Sequence, residues 1–203
     1  MEKNIQKLPG YNVIEYKLVL VPHAELARQI VKVREDFTTK FKVENSIKST
    51  PQIVLASFMQ IHAAEERIIR RLEVIAMGSK AFKVEVKDYG SYPTHTIFLN
   101  VTSKLPISEL VKKIRHETQR LMKLDAENKP HFMNDSHFTL AIKLKPWQYE
   151  KGWLEYSQKH FTGRFIAKRM LLLKRREGEL KFSPAAEFEF MNLPVDIKQG
   201  ELF

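Results

Sequence analysis

The chain has no cysteine. That excludes disulfides, a thiol nucleophile, an iron–sulfur cluster and any cysteine-based zinc site. Glycine (7) and proline (9) are scarce in 203 residues, which excludes a collagen-like or low-complexity chain. No apolar run approaches the roughly 18–20 residues that a bilayer requires. The opening stretch MEKNIQKLPG also lacks the apolar core of a signal peptide. No Gly-rich phosphate loop, Walker motif or dinucleotide motif is present, so nucleotide-driven joining has no visible apparatus. His62 and Glu65 stand three apart, and His116-Glu117 is followed by Thr118, Gln119 and Arg120. Neither completes a zinc signature, so no metal and no other cofactor is expected. Acidic residues are outnumbered: 24 Asp and Glu against 34 Lys and Arg, a net charge of +10. That excess favours an anionic partner, and a cytoplasmic protein without a membrane span is the expectation.

The apolar fraction of 43% and charged fraction of 29% are those of a globular chain. Residues 13–21 read as a buried strand closed by Pro22. Leu26, Ile30, Val33, Phe37 and Phe41 form one apolar stripe on a helix over 24–41. A strand at 52–58, a helix at 62–76 and an alternating strand at 82–88 follow, with Glu66 and Arg70 spaced for an ion pair. The order then repeats: strand 95–101, helix 106–122 opening near Pro106, strand 137–144 and helix 147–160. That last helix carries Trp147, Trp153, Leu154 and Phe161 on or near its apolar side, with Gly152 as its weak point. A strand at 165–174 and a short one at 186–190 close the pattern. Each half reads β-α-β-α-β, although the sequence likeness between halves is little more than Leu55-Ala56 against Leu140-Ala141.

The expected fold is therefore α+β: two similar lobes, with antiparallel or mixed sheets, facing a central cleft. The expected organisation is a single bilobal domain over 1–203, with lobe one at about 11–92, lobe two at about 93–190 and a tail at 191–203. Strands are free to swap between lobes in this scheme.

The segment that carries chemistry is His137-Phe138-Thr139-Leu140. Alternation puts His137 and Thr139 on one face and Phe138, Leu140, Ile142 and Leu144 on the other. An imidazole moves protons near neutral pH, and a hydroxyl donates to a phosphate oxygen. Lys143 shares the His137 face by the same alternation, and Arg164 is a further cation for a backbone phosphate. Lys145, Lys168 and Arg169 add charge nearby, and Tyr149, Tyr156, Phe161 and Phe165 are aromatics suited to stacking on bases.

This motif resembles the two-histidine phosphoesterase superfamily, in its 2′-5′ RNA ligase-like branch. Supporting stretches are Pro130-His131, the run from Ala141 to Trp147, Phe161-Thr162-Gly163-Arg164-Phe165, and Tyr92-Pro93-Thr94-His95-Thr96-Ile97. The resemblance implies one His-x-Ser/Thr motif per lobe, facing imidazoles as base and acid, hydroxyls on the phosphate, and no metal. The implied substrate is an RNA end or nucleotide with a 2′,3′-cyclic phosphate or a 2′-5′ linkage. This chain departs from that pattern at its first motif, Gln52-Ile53-Val54-Leu55. Gln52 holds the place of histidine without a useful pKa, and Val54 replaces the hydroxyl. His137 and Thr139 are thus the expected catalytic pair, with Gln52, Lys143, Arg164 and His95 as substrate contacts. His95, His131 and His62 are the candidates to replace the absent histidine. A non-catalytic RNA- or nucleotide-binding module is the alternative. Separately, Gln199, Leu202 and Phe203 resemble the short Gln-x-x-Leu-Phe peptide that bacterial sliding clamps bind.

Overall fold

Hydrophobic periodicity becomes a two-sheet α+β architecture. The structure, a computed structural model, describes residues 12–44 and 47–194. The clamp-like peptide at Gln199, Leu202 and Phe203 lies outside the described residues. The order is β1 (Val13–Leu20), α1 (Ala24–Lys40), β2 (Ile53–Ile61), a 3₁₀ turn (His62–Ala64), α2 (Glu65–Met77), β3 (Phe82–Tyr92) and β4 (Thr96–Val101). It continues with α3 (Lys104–Met122), β5 (His131–Phe132), β6 (His137–Ala141), α4 (Pro146–Tyr156), β7 (Thr162–Ala167), β8 (Arg169–Arg176) and β9 (Ser183–Glu189).

The helices begin where capping chemistry allows. The His23 ring accepts a hydrogen bond from the Leu26 amide at 3.3 Å, satisfying one orphan donor of α1. Glu65 and Glu66 occupy the first turn of α2, where the helix dipole favours negative charge. The Glu66–Arg70 ion pair forms as the spacing predicts. In α4 the Gln148 side chain accepts from the Lys145 amide at 2.9 Å and donates at 3.0 Å each to the carbonyls of Phe41 and Lys42, tying α4 to the end of α1.

Both sheets are antiparallel. The first has the order β5-β2-β1-β8-β9 and the second β6-β4-β3-β7, so each draws strands from both halves of the chain. Helices α2 and α3 cover one face of the first sheet, and α1 and α4 cover one face of the second. The opposite faces look onto the central cleft. The covered faces are apolar: Tyr16, Leu18, Leu55, Leu72 and Ile114 are fully buried in one layer, and Phe37, Leu99, Phe138 and Leu140 in the other.

Three local expectations are corrected, and one strand, β5, was not foreseen. The strand expected over 165–174 is two strands in different sheets, β7 and β8, parted at Lys168. The two-residue β5 is too short to show any periodicity. Of the residues expected on the apolar side of α4, Trp147 and Leu154 are exposed, while Tyr149, Gly152 and Tyr156 are buried. Gly152 explains the choice of face: a Cβ there would stand 2.8 Å from the Phe37 ring, so the glycine sits at the core, with Trp153 partly buried beside it as expected and Trp147 turned out. Ile142, expected inward, is exposed, because β6 ends at Ala141 after a bulge.

Candidate phosphodiester site

That bulge sets the geometry of the site. In β6, Thr139 pairs with Phe98 and Ala141 with Ile97, which leaves Leu140 as the extra residue. In β2, Val54 pairs with Val19 and Ala56 with Leu18, which leaves Leu55 as the extra residue. The one sequence match between the halves, Leu-Ala, is therefore the same irregularity built twice. Both bulges keep two successive apolar side chains buried: Leu55 with Ala56, and Leu140 with Ala141. Counting back from each bulge aligns Val54 with Thr139 and Gln52 with His137.

His137 opens β6, and its ring lies against Phe98 at 4.5 Å between centroids and edge-on to Tyr92 at 5.6 Å. Gly90, paired with Phe98, makes this possible: a Cβ there would come within 2.5 Å of the Phe98 ring. The Tyr92 hydroxyl donates to Asp135, whose other carboxylate oxygen accepts from Lys104 at 3.0 Å. Nδ1 of His137 is buried and makes no hydrogen bond of good geometry among the described residues. Thr139 is half-buried on the same face, and its hydroxyl makes no hydrogen bond among the described residues. From behind the strand, the buried Arg34 of α1 donates at 2.9 Å to the Thr139 carbonyl and at 2.8 Å to the Ser49 carbonyl. One guanidinium thus ties the second motif to the loop that leads into the first. Burial lowers its pKa to about 10, so it stays charged at neutral pH.

Burial also lowers the pKa of His137 below its ordinary 6.5, against the opposing pull of Asp135. At neutral pH the ring is uncharged and fit to accept a proton. Below pH 6.5 the unfolded chain binds more protons at this residue than the folded chain does. The stability His137 contributes is therefore complete above about pH 6.5 and is lost as the pH falls through the window below it. An NMR titration of the ring should show a midpoint under 6.5, and Asp135→Asn should lower it further. A wild-type midpoint at or above 6.5 would contradict the burial.

The other sequence candidates scatter. Gln52 directly precedes β2, half-buried and without a hydrogen bond among the described residues; Val54 is half-buried on the cleft face. Lys143 was expected on the His137 face by alternation, but it lies beyond β6 in a left-handed turn at φ 54° and is exposed. Arg164 shares the cleft face of the second sheet but stands on β7, three strands or about 14 Å from β6, opposite Glu85. His95 sits in the turn before β4, sharing a 2.6 Å hydrogen bond with the Thr96 hydroxyl while its carbonyl accepts from Leu144. That is the far end of β6 from His137, about 13 Å along the strand. His62 lies past the opposite end of β2 from Gln52, 3.7 Å from Glu65. His131 on β5 pairs with Ser57, which pairs with Lys17, so these three form a row on the cleft face, five residues along β2 from Gln52. Sequence reasoning missed Tyr92, Phe98, Asp135 and Arg34. Only Tyr92 stood in a stretch already marked; Phe98 acts through cross-strand register, and Asp135 and Arg34 through contacts with distant segments, none of which one strand's pattern reveals.

Two antiparallel sheets about a cleft each carry a Leu-Ala bulge, with the His137-x-Thr139 pair before one bulge and Gln52 and Val54 at the matching positions before the other. The chain belongs to the 2′-5′ RNA ligase superfamily, whose family model matches residues 22–179. Its fold is similar to that of Escherichia coli LigT complexed with 3′-AMP, with a TM-score of 0.61 at 12% identity over 88% of this chain and 98% of that one. It is likewise similar to TT0787 of Thermus thermophilus, with a TM-score of 0.64 at 14% identity over 87% of this chain and 98% of that one. No curated protein matches the chain. No helix among the described residues is long and apolar enough to cross a membrane.

Proposed function

We propose that this chain binds RNA ends or nucleotides carrying a 2′,3′-cyclic or 2′-5′ phosphodiester, and that only one of its two acid/base positions can still move a proton. The observation that carries this reading is the pair of matched bulges, which puts Gln52 and Val54 in register with His137 and Thr139. His137 serves as the base, and the Thr139 hydroxyl donates to a phosphate oxygen. Gln52 contributes a hydrogen bond but no proton transfer. In-line displacement at phosphorus needs proton transfers on opposite sides, so loss of one partner slows turnover about 10²–10⁴-fold. Structures of Escherichia coli LigT with 3′-AMP, phosphate and ATP support a nucleotide-sized anion as the occupant of such a cleft.

A second reading, a binding module without turnover, is favoured by Gln52, which has no useful pKa, and by Val54. The Val54 side chain lies beside Val19 on the cleft face and offers nothing to an oxyanion. Titration with a 2′,3′-cyclic nucleotide, followed for both binding and product, separates the two. Saturable hydrolysis abolished by His137→Ala supports the slow enzyme. Tight binding without product supports the module. Absence of binding to cyclic nucleotides and to 2′-5′-linked dinucleotides alike would overturn both.

A further inference from the structure

We infer that a basic groove on the helix-covered side of the first sheet holds the backbone of an RNA strand whose end lies in the cleft, so that the substrate is an oligonucleotide and not a mononucleotide. The inference rests on the reading above for the end, and on separate residues for the strand. The groove, of about 370 Å³, is lined by Arg115, Gln119, Arg120, Lys123, Lys129, Pro130 and Phe132.

Four of those residues are cations, and all four are exposed. Some cations elsewhere on the surface are matched by acids (Arg70 by Glu66, Arg71 by Glu117, Lys83 by Glu85, Arg169 by Glu187, Arg175 by Glu15), and others, such as Arg28, Arg67 and Lys143, form no ion pair among the described residues; what sets this groove apart is that it gathers four cations with no acid in its lining. Among the described residues, none of the groove's four cations forms an ion pair with a carboxylate. The carboxylates nearest in sequence are Glu117 on α3, paired with Arg71 and His116, and those in the loop after α3. Asp125 is occupied by the amides of Glu127 and Asn128 and the Asn128 side chain. Lys123 contributes to holding its carboxyl low, after those hydrogen bonds. Arg120 and Lys123 lie at the C-terminal end of α3, where cations complement the helix dipole. The end carbonyls of Leu121 and Lys123 already accept from the Gln60 amide at 2.9 and 3.2 Å. Neither Arg115, two turns earlier, nor Lys129, on the approach to β5, is explained by that dipole. Arg115 and Lys123 are about 12 Å apart along the helix axis, too far for one phosphate and suited to a row of them.

The path to the cleft runs over β5. This strand forms the edge of the first sheet. Its two side chains point to opposite faces. Phe132 is buried on the helix side with the Arg115 guanidinium 5.2 Å from its ring. His131 stands in the row with Ser57 and Lys17 on the cleft side. From Phe132 the chain reaches His137 in five residues, at most about 18 Å. An RNA strand leaving the cleft thus crosses one sheet edge to meet the unpaired cations.

The test uses the full chain and a variant with Arg120→Ala, Lys123→Ala and Lys129→Ala, checked for folding by circular dichroism. The probes are a 2′,3′-cyclic mononucleotide and a single-stranded RNA of about ten nucleotides ending in a 2′,3′-cyclic phosphate. Each single-strand phosphate contact adds about 0.7 to the log–log salt slope, or about five-fold in affinity at 0.1 M salt. The variant should lose about 100-fold in RNA affinity and about 2 in slope, with mononucleotide binding unchanged. Unchanged RNA affinity alongside mononucleotide binding overturns the groove and leaves the cleft reading standing. Groove-dependent RNA binding with no dependence on the cyclic end supports the groove and removes the cleft reading. Groove-dependent binding to anionic lipid vesicles, without binding to RNA, overturns the inference in favour of a membrane surface.

Discussion

Placing a histidine and a hydroxyl on the first strand, by Gln52→His together with Val54→Thr, should accelerate hydrolysis of a 2′,3′-cyclic nucleotide about 10²–10⁴-fold over the wild-type chain. The expectation follows from register. Leu55 and Leu140 are the extra residues of equivalent bulges, so the substituted side chains enter the first strand where His137 and Thr139 stand on the second. The wild-type cleft has a base, because burial keeps His137 neutral at pH 7. On the proposed function it lacks the acid that would protonate the leaving oxygen. Gln52→His supplies that acid, and the new imidazole must be protonated to serve. The variant should therefore show a bell-shaped pH profile, where the wild type shows a single rising limb. Val54→Thr supplies a second donor to the phosphate and keeps a β-branched shape that fits the strand. The fold should tolerate both, since neither position is fully buried and Gln52 makes no hydrogen bond among the described residues. His137→Ala in the doubly substituted chain should return the rate to background. A well-folded double variant that binds the nucleotide but turns it over no faster would show that the two bulged strands do not present their side chains to the same phosphorus.

The motif and the architecture were legible in the sequence because they are local. Alternation across His137-Phe138-Thr139 needs only the two-residue period, and the repeated β-α-β-α-β order needs only the change from that period to the helical one. What failed was anything that depended on register between strands. The inserted residue at Leu140 turns Ala141 to the buried face, and the strand ends there. That is why Ile142 emerges at the surface and Lys143 leaves the strand. The same cause hides Ser57, which the Leu55 bulge turns to the cleft, opposite Lys17 and His131. Arg34 was hidden differently. A charged residue inside an apolar stripe reads as a solvated neighbour of Val33, and only the carbonyls of Ser49 and Thr139, supplied by distant segments, explain its burial. The shared Leu-Ala step was visible from the start, but its meaning as a paired bulge required both sheets.

The middle of the motif gives the second large effect, and its neighbour gives the contrast. Phe138 is fully buried, facing Phe165 with ring centroids 6.4 Å apart beneath α1. Phe138→Ala removes a large side chain from a packed layer and should cost about 3–5 kcal/mol of stability. In a chain of this size that lowers the melting temperature by about 6–20 °C. Thr139 is adjacent in sequence and opposite in role. Its hydroxyl has no protein partner among the described residues, so Thr139→Val keeps the shape and should change stability by less than about 0.5 kcal/mol. The same substitution removes a hydrogen bond to a charged phosphate, worth about 1.5–3 kcal/mol, and should weaken nucleotide binding about 10- to 100-fold. Thermal melts and nucleotide titrations on both variants decide the matter. Phe138→Ala should unfold early and, at a temperature where it is folded, still bind; Thr139→Val should melt with the wild type and bind poorly. If Thr139→Val melted as early as Phe138→Ala, or bound the nucleotide as tightly as the wild type, the hydroxyl would be part of the fold's own packing and the strand would carry no phosphate contact at that position.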